Sequence, residues 1–384
     1  MADVIDTGQF VNFDTDFINF ALRHCKTSCF GKESFNLYQW IQKLRSVRDH
    51  YGHDHVNVLQ LLSKIGELLV KQRHYEFARP FYEEQLRVEK VLLGPNNPEL
   101  AITLNTIAEI CYAQTCYEDA MEYYQCGLNL WRSSNSIKSL TDKSIFARIL
   151  YNIGKLYNAK RSLEQALYYF KTSISVIKMI QGEFHPDVAT LYFDVGTMQM
   201  LMGRTNLAMQ SFQESLTITQ LVFGNSSEKV IETKLQIANI HDARGEHDNA
   251  LVIYNESLQY MLSTQKIDMQ TMATLQKIGQ LHHAMGSLDD SVKAYLNLSS
   301  ISRQILGRRS PYYVFILCIL VSIRIQNGEV TKAQSTLQES EVIIKEFQQT
   351  SQNDISDEEL TLLRDLCHLL CINMFEFAFG AAAA

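Results

Sequence analysis

The chain has 384 residues, of which 46% are apolar and 20% are charged, and its net charge is -7. This composition is typical of a globular protein, and the small numbers of Pro (5) and Gly (17) permit long helices. No run is rich in Lys or Arg, so the clustered positive charge that tight binding to a nucleic-acid backbone requires is missing.

The two ends and the cysteines give expectations about location. The first 17 residues contain four Asp and no Lys or Arg, which does not fit a secretory signal. The longest apolar run, 312–321, is about half as long as a membrane-crossing helix needs to be. The eight cysteines show no disulfide framework. We therefore expect a cytoplasmic protein without membrane insertion.

Seven short segments share a pattern in which a small residue follows a turn and precedes a bulky residue by four positions. The small residues are Ala78, Ala120, Ala166, Ala208, Ala250, Ser291 and Ala333. They are separated by 42, 46, 42, 42, 41 and 42 residues. The bulky residues are Tyr82, Tyr124, Phe170, Phe212, Tyr254, Tyr295 and Leu337. The period predicts a series of similar helix pairs.

A second small residue lies twelve positions before most of these markers. It is Gly66, Ala108, Gly154, Gly196, Ala238 or Gly279, and only the seventh segment departs, with Val321. Small and aromatic residues at these spacings predict two helices, A and B, that cross closely with the aromatic ring as a plug. Gly203, Gly245, Gly286 and Gly328 are expected to end the A helices.

The pattern divides the chain into four parts. Residues 1–55 are interpreted as an N-terminal segment and a degenerate first repeat, with Trp40 as its plug. Residues 56–350 hold seven repeats of about 42 residues. Residues 351–379 are expected to form an amphipathic capping helix that covers the end of the series. Residues 380–384 are interpreted as a non-native remnant.

The connectors LLGPNNPEL (92–100) and GEFHPDV (182–188) place Gly and an Asn-Pro or His-Pro pair before a helix. With the repeat, they resemble the tetratricopeptide repeat, and within it the longer type found in kinesin light chains. This resemblance implies an all-α, right-handed α-solenoid of helix-turn-helix repeats, with helix A on the concave wall. The first 50 residues contain no sustained heptads, so assembly with a motor subunit is left open.

The family geometry implies which side chains line a groove for a partner. They are Asn105, Glu109, Tyr112, Arg148, Tyr151, Asn152, Lys155, Asn158, Asp194, Gln236 and Asn239. A carboxamide can pair with both groups of a peptide bond, tyrosines provide flat anchors, and Arg148 and Lys155 suit an acidic ligand side chain. A wall that faces water when empty also needs polar residues, so a solvated surface is the alternative.

Other chemistry-bearing residues are better explained by structure. His24, Cys25 and Cys29 lie near one end, and Cys367, His368 and Cys371 near the other. The two sets cannot share a zinc ion in an extended chain. His55 and His185 occupy equivalent connector positions, which suits helix capping. No phosphate-binding glycine loop, GxSxG or HExxH motif occurs. We expect no enzymatic activity, metal or cofactor.

The expected function is that of an adaptor whose concave groove binds an extended or helical segment of another protein. One alternative is a structural subunit that docks through residues 1–35 and the apolar C-terminal region, 312–377. A second alternative is a peptide-sensing regulator, as in bacterial peptide-pheromone receptors of similar length. The sequence leaves the partner and the oligomeric state open.

Overall fold

The computed structural model describes residues 34–133 and 140–349, and in these ranges the chain forms fifteen helices and no strand. The first eight are α1 (Ser34–Tyr51), α2 (Val56–Lys71), α3 (Tyr75–Leu93), α4 (Leu100–Ala113), α5 (Tyr117–Ser133), α6 (Leu140–Ala159), α7 (Leu163–Gln181) and α8 (Pro186–Leu201). The others are α9 (Thr205–Phe223), α10 (Glu228–Ala243), α11 (His247–Ser263), α12 (Met269–Ala284), α13 (Leu288–Leu306), α14 (Pro311–Gln326) and α15 (Val330–Gln349). The all-α prediction is confirmed.

Helices α2 to α15 alternate as A and B helices, each A helix being followed by a short turn and its B helix. The residues that mark the repeat lie inside these pairs. Ala78, Ala120, Ala166, Ala208, Ala250, Ser291 and Ala333 all have 0% exposed surface. Because each marker is fully enclosed, a larger side chain at this position would force the two helices apart.

The close approach between A and B helices rests on a glycine facing an aromatic ring. A Cβ atom placed on Gly154 would lie 2.6 Å from both Cδ1 and Cε1 of Phe170. The same contact joins Gly196 to Phe212, at 2.8 Å from Cε1. The rings are buried, so the predicted plug occupies the space that a side chain at the glycine would take.

Each A helix ends in a tight turn with one residue in the left-handed region. Gly203, with φ of 72°, donates from its N–H to the carbonyl of Met200, and Arg204 donates to Gln199. This is the Schellman pattern, which satisfies the last carbonyls of a helix. In the first three turns the left-handed residue is not glycine but Arg73, Thr115 or Arg161. Sequence analysis placed glycine only at the later turns, and the backbone pattern is the same in both groups.

The chain divides into two compact units, 1–218 and 219–384. In the first unit, α3 carries an unexpected set of buried acidic side chains. Glu84 pairs with Arg48 of α1, and both side chains are less than a tenth exposed. Glu83 accepts from Arg79 at 2.8 Å and from the hydroxyl of Tyr123 at 3.2 Å. The carboxylates are tolerated because each faces a cation or a donor.

In the second unit, the apolar helix α14 is packed inside its own core. Val314, Leu317 and Val321 are at most 3% exposed and belong to a cluster with Leu298 of α13 and with Leu337, Ile343 and Ile344 of α15. Phe315 remains partly exposed. Most of the apolar side chains of α14 are therefore buried within this unit. The capping helix expected at 351–379 lies outside the described residues, as does the N-terminal segment 1–33.

Among the described helices, none combines the length and apolar character that a membrane span requires.

Candidate functional site

Three polar side chains form a network between the A helices α4 and α6. The Asn105 amide donates to Oε1 of Glu109 at 2.9 Å. The Asn152 amide donates to the same oxygen at 2.7 Å and to Oδ1 of Asn105 at 3.0 Å. Because α4 and α6 belong to successive helix pairs, this network fixes the relative position of two A helices.

Two cations lie beside this network. Arg148, whose side chain is 51% exposed, approaches Oε1 of Glu109 at 3.8 Å through Nε. The Nζ atom of Lys155 lies 5.4 Å from the ring centroid of Tyr112 and 5.6 Å from that of Tyr151. Cation–π attraction therefore holds the Lys155 ammonium between two aromatic rings.

Tyr151 links this region to α8. Burial raises the pKa of the Tyr151 phenol above its usual value, and the neighbouring Asp194 carboxylate raises it further. The protonated phenol is thus the stable form, and it remains a donor at neutral pH.

A cavity of about 260 Å³ opens next to Arg148 and Tyr151. It is lined by side chains of α6, α7 and α8, with apolar walls and polar groups at its edge. The lining residues are Ser144, Ala147, Arg148, Tyr151, Ile177, Ile180, Gln181, Asp187, Thr190 and Leu191. An apolar cavity with a few polar groups is the usual form of a site that accepts one side chain or a small group.

The structure brings seven of the predicted groove residues together around the network and the two tyrosines. They are Asn105, Glu109, Tyr112, Arg148, Tyr151, Asn152 and Lys155. Asp194 joins them through Tyr151. Asn158 is half-buried on α6.

Gln236 and Asn239 lie in the second unit, on α10. Asn239 donates to Gln236 at 3.4 Å and accepts from the hydroxyl of Tyr254 at 2.7 Å. Tyr254 is itself the buried plug of its helix pair. The carbonyl oxygen of Asn239 is therefore engaged by its own B helix.

The role expected for Asn105 needs a correction. Its side chain is 0% exposed, so it cannot line a groove or touch a partner. Asn152 is 6% exposed, and its amide nitrogen already donates to two acceptors. The two amides hold α4 and α6 together rather than stand free as clamps. The groups that reach solvent here are Glu109 and Arg148, with Lys155, Tyr112 and Tyr151 partly exposed.

Sequence analysis missed the side chains that the B helix and the connector bring to the cavity, Ile177, Ile180, Gln181 and Asp187. Asp187 belongs to the connector GEFHPDV, for which the sequence analysis predicted helix capping but no contact with a partner. The capping prediction itself is confirmed: Nδ1 of His185 accepts from the backbone N–H of Asp187 at 3.2 Å. His55 caps α2 in the same way, through the N–H of Asn57.

Within the described ranges, no three His, Cys, Asp or Glu side chains are grouped as a metal site would require. The sets at 24–29 and 367–371 lie outside those ranges.

Consecutive helix pairs in which a small residue faces an aromatic ring, as at Gly66, Gly154, Gly196 and Gly279, are the arrangement of tetratricopeptide repeats. The model of the tetratricopeptide repeat family matches residues 57–133 and 146–220. The chain thus contains tetratricopeptide repeats, which supports a role in protein–protein interaction. Curated proteins that the chain resembles include kinesin light chain-related proteins.

Those relatives are distant. Protein KINESIN LIGHT CHAIN-RELATED 1 of Arabidopsis thaliana is 22% identical over 66% of this chain and 41% of its own length. Protein KINESIN LIGHT CHAIN-RELATED 2 of the same plant is 21% identical over 82% of this chain and 47% of its own length. The chain therefore spans less than half the length of these two curated relatives.

A solved structure shows the same fold over most of the chain. The apo form of RapI superposes with a TM-score of 0.62 at 13% identity, covering 85% of this chain and 86% of RapI. At this identity the likeness shows the fold alone.

Proposed function

We propose that this chain is a non-enzymatic, cytoplasmic adaptor that binds an extended or helical segment of a partner protein on the wall formed by α4, α6 and α8. The observation that carries the proposal is the convergence of Arg148, Lys155 and Tyr151 beside a cavity of about 260 Å³. One side chain of the partner would enter the cavity, while its backbone would lie across the aromatic and charged groups.

The chemistry around the cavity suits a peptide better than a small charged metabolite. Charges of both signs meet at this wall: Arg148 lies near Glu109 and lines the cavity with Asp187, and Asp194 lies beside Tyr151. Such mixed charge gives an extended chain several possible partners but gives a single anion no strong field. Partly exposed tyrosines add apolar contact area and a hydrogen-bonding group at low entropic cost.

Several side chains at this site are already held without a partner. Lys155 lies against two rings, and Glu109 is fixed by two amide donors. A long side chain that is ordered before binding does not pay the entropy of ordering during binding, about 0.5–1.5 kcal/mol for each side chain. This order supports a binding role over that of a merely solvated wall.

Photo-crosslinking from defined positions tests the proposal. A photoreactive amino acid replaces Arg148 in one variant and Lys171, an exposed lysine on the B helix α7, in a control. Both are irradiated in native lysate, and the joined proteins are identified by mass spectrometry. We expect a partner that is joined from position 148 and not from position 171.

The same partner is then measured against Arg148→Ala and Lys155→Ala, with Lys171→Ala as the matched control. The first two variants are expected to weaken binding at unchanged helicity, by about tenfold for each well-desolvated contact that is lost. A partner that is joined equally from both positions, or bound equally by all three variants, would refute the groove.

A further inference from the structure

The turn between α4 and α5 places two cysteines at positions that face each other across a helix cap. The N–H of Cys116 donates to the carbonyl of Cys111 at 2.9 Å, and the N–H of Thr115 donates to that of Tyr112 at 3.0 Å. Thr115 has φ of 62°. This is the Schellman pattern, in which the first and last of these residues commonly bring their side chains into contact.

Two other turns of the same chain show that contact directly. In the turn after α10, the N–H of Glu246 donates to the carbonyl of His241 at 2.9 Å, as Cys116 does to Cys111. The side chains of Glu246 and His241 lie 2.6 Å apart. In the turn after α14, Nε of Arg324 lies 3.9 Å from Oε2 of Glu329. Side chains at this pair of positions therefore meet where their length allows.

The backbone bond also sets the distance between the two cysteines. With standard bond lengths, an N···O contact of 2.9 Å limits the Cα–Cα separation to at most about 6.8 Å. Disulfides in proteins span about 4.4–6.8 Å between Cα atoms. The Cα separation of Cys111 and Cys116 is therefore compatible with a disulfide.

We propose that Cys111 and Cys116 are a redox modification site, which forms a reversible disulfide across the cap of α4. The two thiols differ in a way that assigns their roles. Cys116 is exposed, whereas Cys111 is 0% exposed. Burial raises the pKa of the Cys111 thiol to about 12, although the nearby Arg79 opposes the rise. Cys116 is therefore the attacking residue and Cys111 the resolving one.

The oxidant class is a hydroperoxide, with hydrogen peroxide as the simplest member. The Cys116 sulfur attacks one peroxide oxygen, the O–O bond breaks, and the leaving hydroxide takes up the proton of the Cys116 thiol to become water, so that Cys116 carries a sulfenic acid. The Cys111 sulfur then attacks the Cys116 sulfur, the S–O bond breaks, and the hydroxide takes up the Cys111 proton to leave as water. Two thiols lose two electrons and the peroxide is reduced to two waters. A thiol such as dithiothreitol reverses the bond by exchange.

The disulfide would act on the part of α4 that carries the candidate site, since Glu109 and Tyr112 lie within two residues of Cys111. Oxidation would link the last turn of α4 covalently to Cys116, the residue that directly precedes α5. On reduction, Cys116 returns to its contact with the carbonyl of Gln114 at 3.7 Å. The inference stands without the proposed function, because it rests only on the geometry of the turn.

Peptide mapping of the full chain tests the proposal. The native protein is treated with hydrogen peroxide, remaining thiols are alkylated, and the chain is digested with chymotrypsin, which cleaves after Tyr112 and so separates the two cysteines. We expect a joined peptide that contains Cys111 and Cys116, lacks two hydrogen atoms, and is lost on reduction. Cys116→Ser should abolish it, and Cys126→Ser, a half-buried cysteine of α5, should leave it unchanged.

A second variant tests the geometry apart from the chemistry of these cysteines. His241→Cys with Glu246→Cys places the pair in the equivalent turn after α10, and we expect a second joined peptide there. The proposal is overturned if Cys116 ends as a sulfinic acid with Cys111 still alkylated, or if it joins Cys126 instead. It is also overturned if the engineered turn cross-links while the native one does not.

Discussion

The contact between Gly154 and Phe170 gives a quantitative test of the repeat. In Gly154→Ala the new methyl group would meet two ring carbons of Phe170 at 2.6 Å and a third at 3.3 Å. Phe170 is 1% exposed and has no room to turn away. Overpacking of a core costs about 1–3 kcal/mol, and the rigid buried ring places this case near the upper value. Alanine recovers about 1 kcal/mol of helix propensity.

We therefore expect Gly154→Ala to lower the free energy of unfolding by about 2 kcal/mol. For a cooperative segment of 150–250 residues this corresponds to a fall of about 4–8 °C in the melting temperature. The matched control is Gly127→Ala, where the one close contact of the added methyl is with the terminal Cδ1 atom of Ile149, at 3.1 Å. A shift of a few tenths of an ångström at this one atom would relieve the contact, so this variant should lose much less stability than Gly154→Ala. Circular dichroism at 222 nm during heating measures both.

A double-mutant cycle separates the ring contact from other effects. Phe170→Leu removes the ring that the methyl meets, so Gly154→Ala should cost much less in that background, with a coupling of about 0.5–3 kcal/mol. Ala108 and Ala238 occupy the same position opposite Tyr124 and Tyr254, so the fold accepts a methyl where the helices are spaced for it. Equal melting of both glycine variants, or no coupling to Phe170, would refute the reasoning.

Three further predictions concern buried polar groups. Glu109→Ala leaves the fully buried Asn105 amide without its acceptor, so the free energy of unfolding in urea should fall by about 1–3 kcal/mol. Glu109→Gln keeps an acceptor oxygen and should lower it less. Equal losses in the two variants would contradict this reasoning. Ser291→Ala removes one buried hydrogen bond to the carbonyl of Gly279 but introduces the alanine that the other repeats have at this position. The free energy of unfolding, obtained from the urea midpoint, should therefore change by at most about 1 kcal/mol. A larger loss would show that the repeats are not equivalent at this position. Burial raises the pKa of Tyr82 to about 12, so the folded state holds this proton more tightly than the unfolded chain does. The stability that this proton contributes is present below about pH 10 and should be lost as the pH rises toward 12, which helicity and phenolate absorbance would show. Constant stability across that range would refute the prediction.

The repeat was predictable because its signal lies within single helix pairs. A glycine and an aromatic residue sixteen positions later are enough to specify a close crossing, as Gly66 with Tyr82 shows. The expected series of seven markers followed from the same local spacing. Such contacts depend on residues close in sequence, which periodicity can detect.

The interior place of Asn105 was not predictable in this way. Its partner Asn152 lies 47 residues away on the next A helix. The next helix pair decides whether an A-helix side chain remains exposed or becomes buried. The residue pattern within a single repeat contains no information about that packing. The buried acidic residues of α3 were missed for the same reason, since Glu84 is neutralised by Arg48 from an earlier helix.

The buried amides and the exposed cations thus have different physical roles at the same site. Asn105 and Asn152 fix Glu109 and the spacing of α4 and α6 before any partner arrives. Arg148 lies beside the Glu109 carboxylate and Lys155 beside Tyr151, and both cations reach solvent. A surface ion pair there adds only about 0–1 kcal/mol to stability. Variants of the amides should therefore lower stability and binding together, because the support itself moves. Variants of the cations should lower binding alone, and this separation distinguishes a preorganised groove from a wall that is polar only because it faces water.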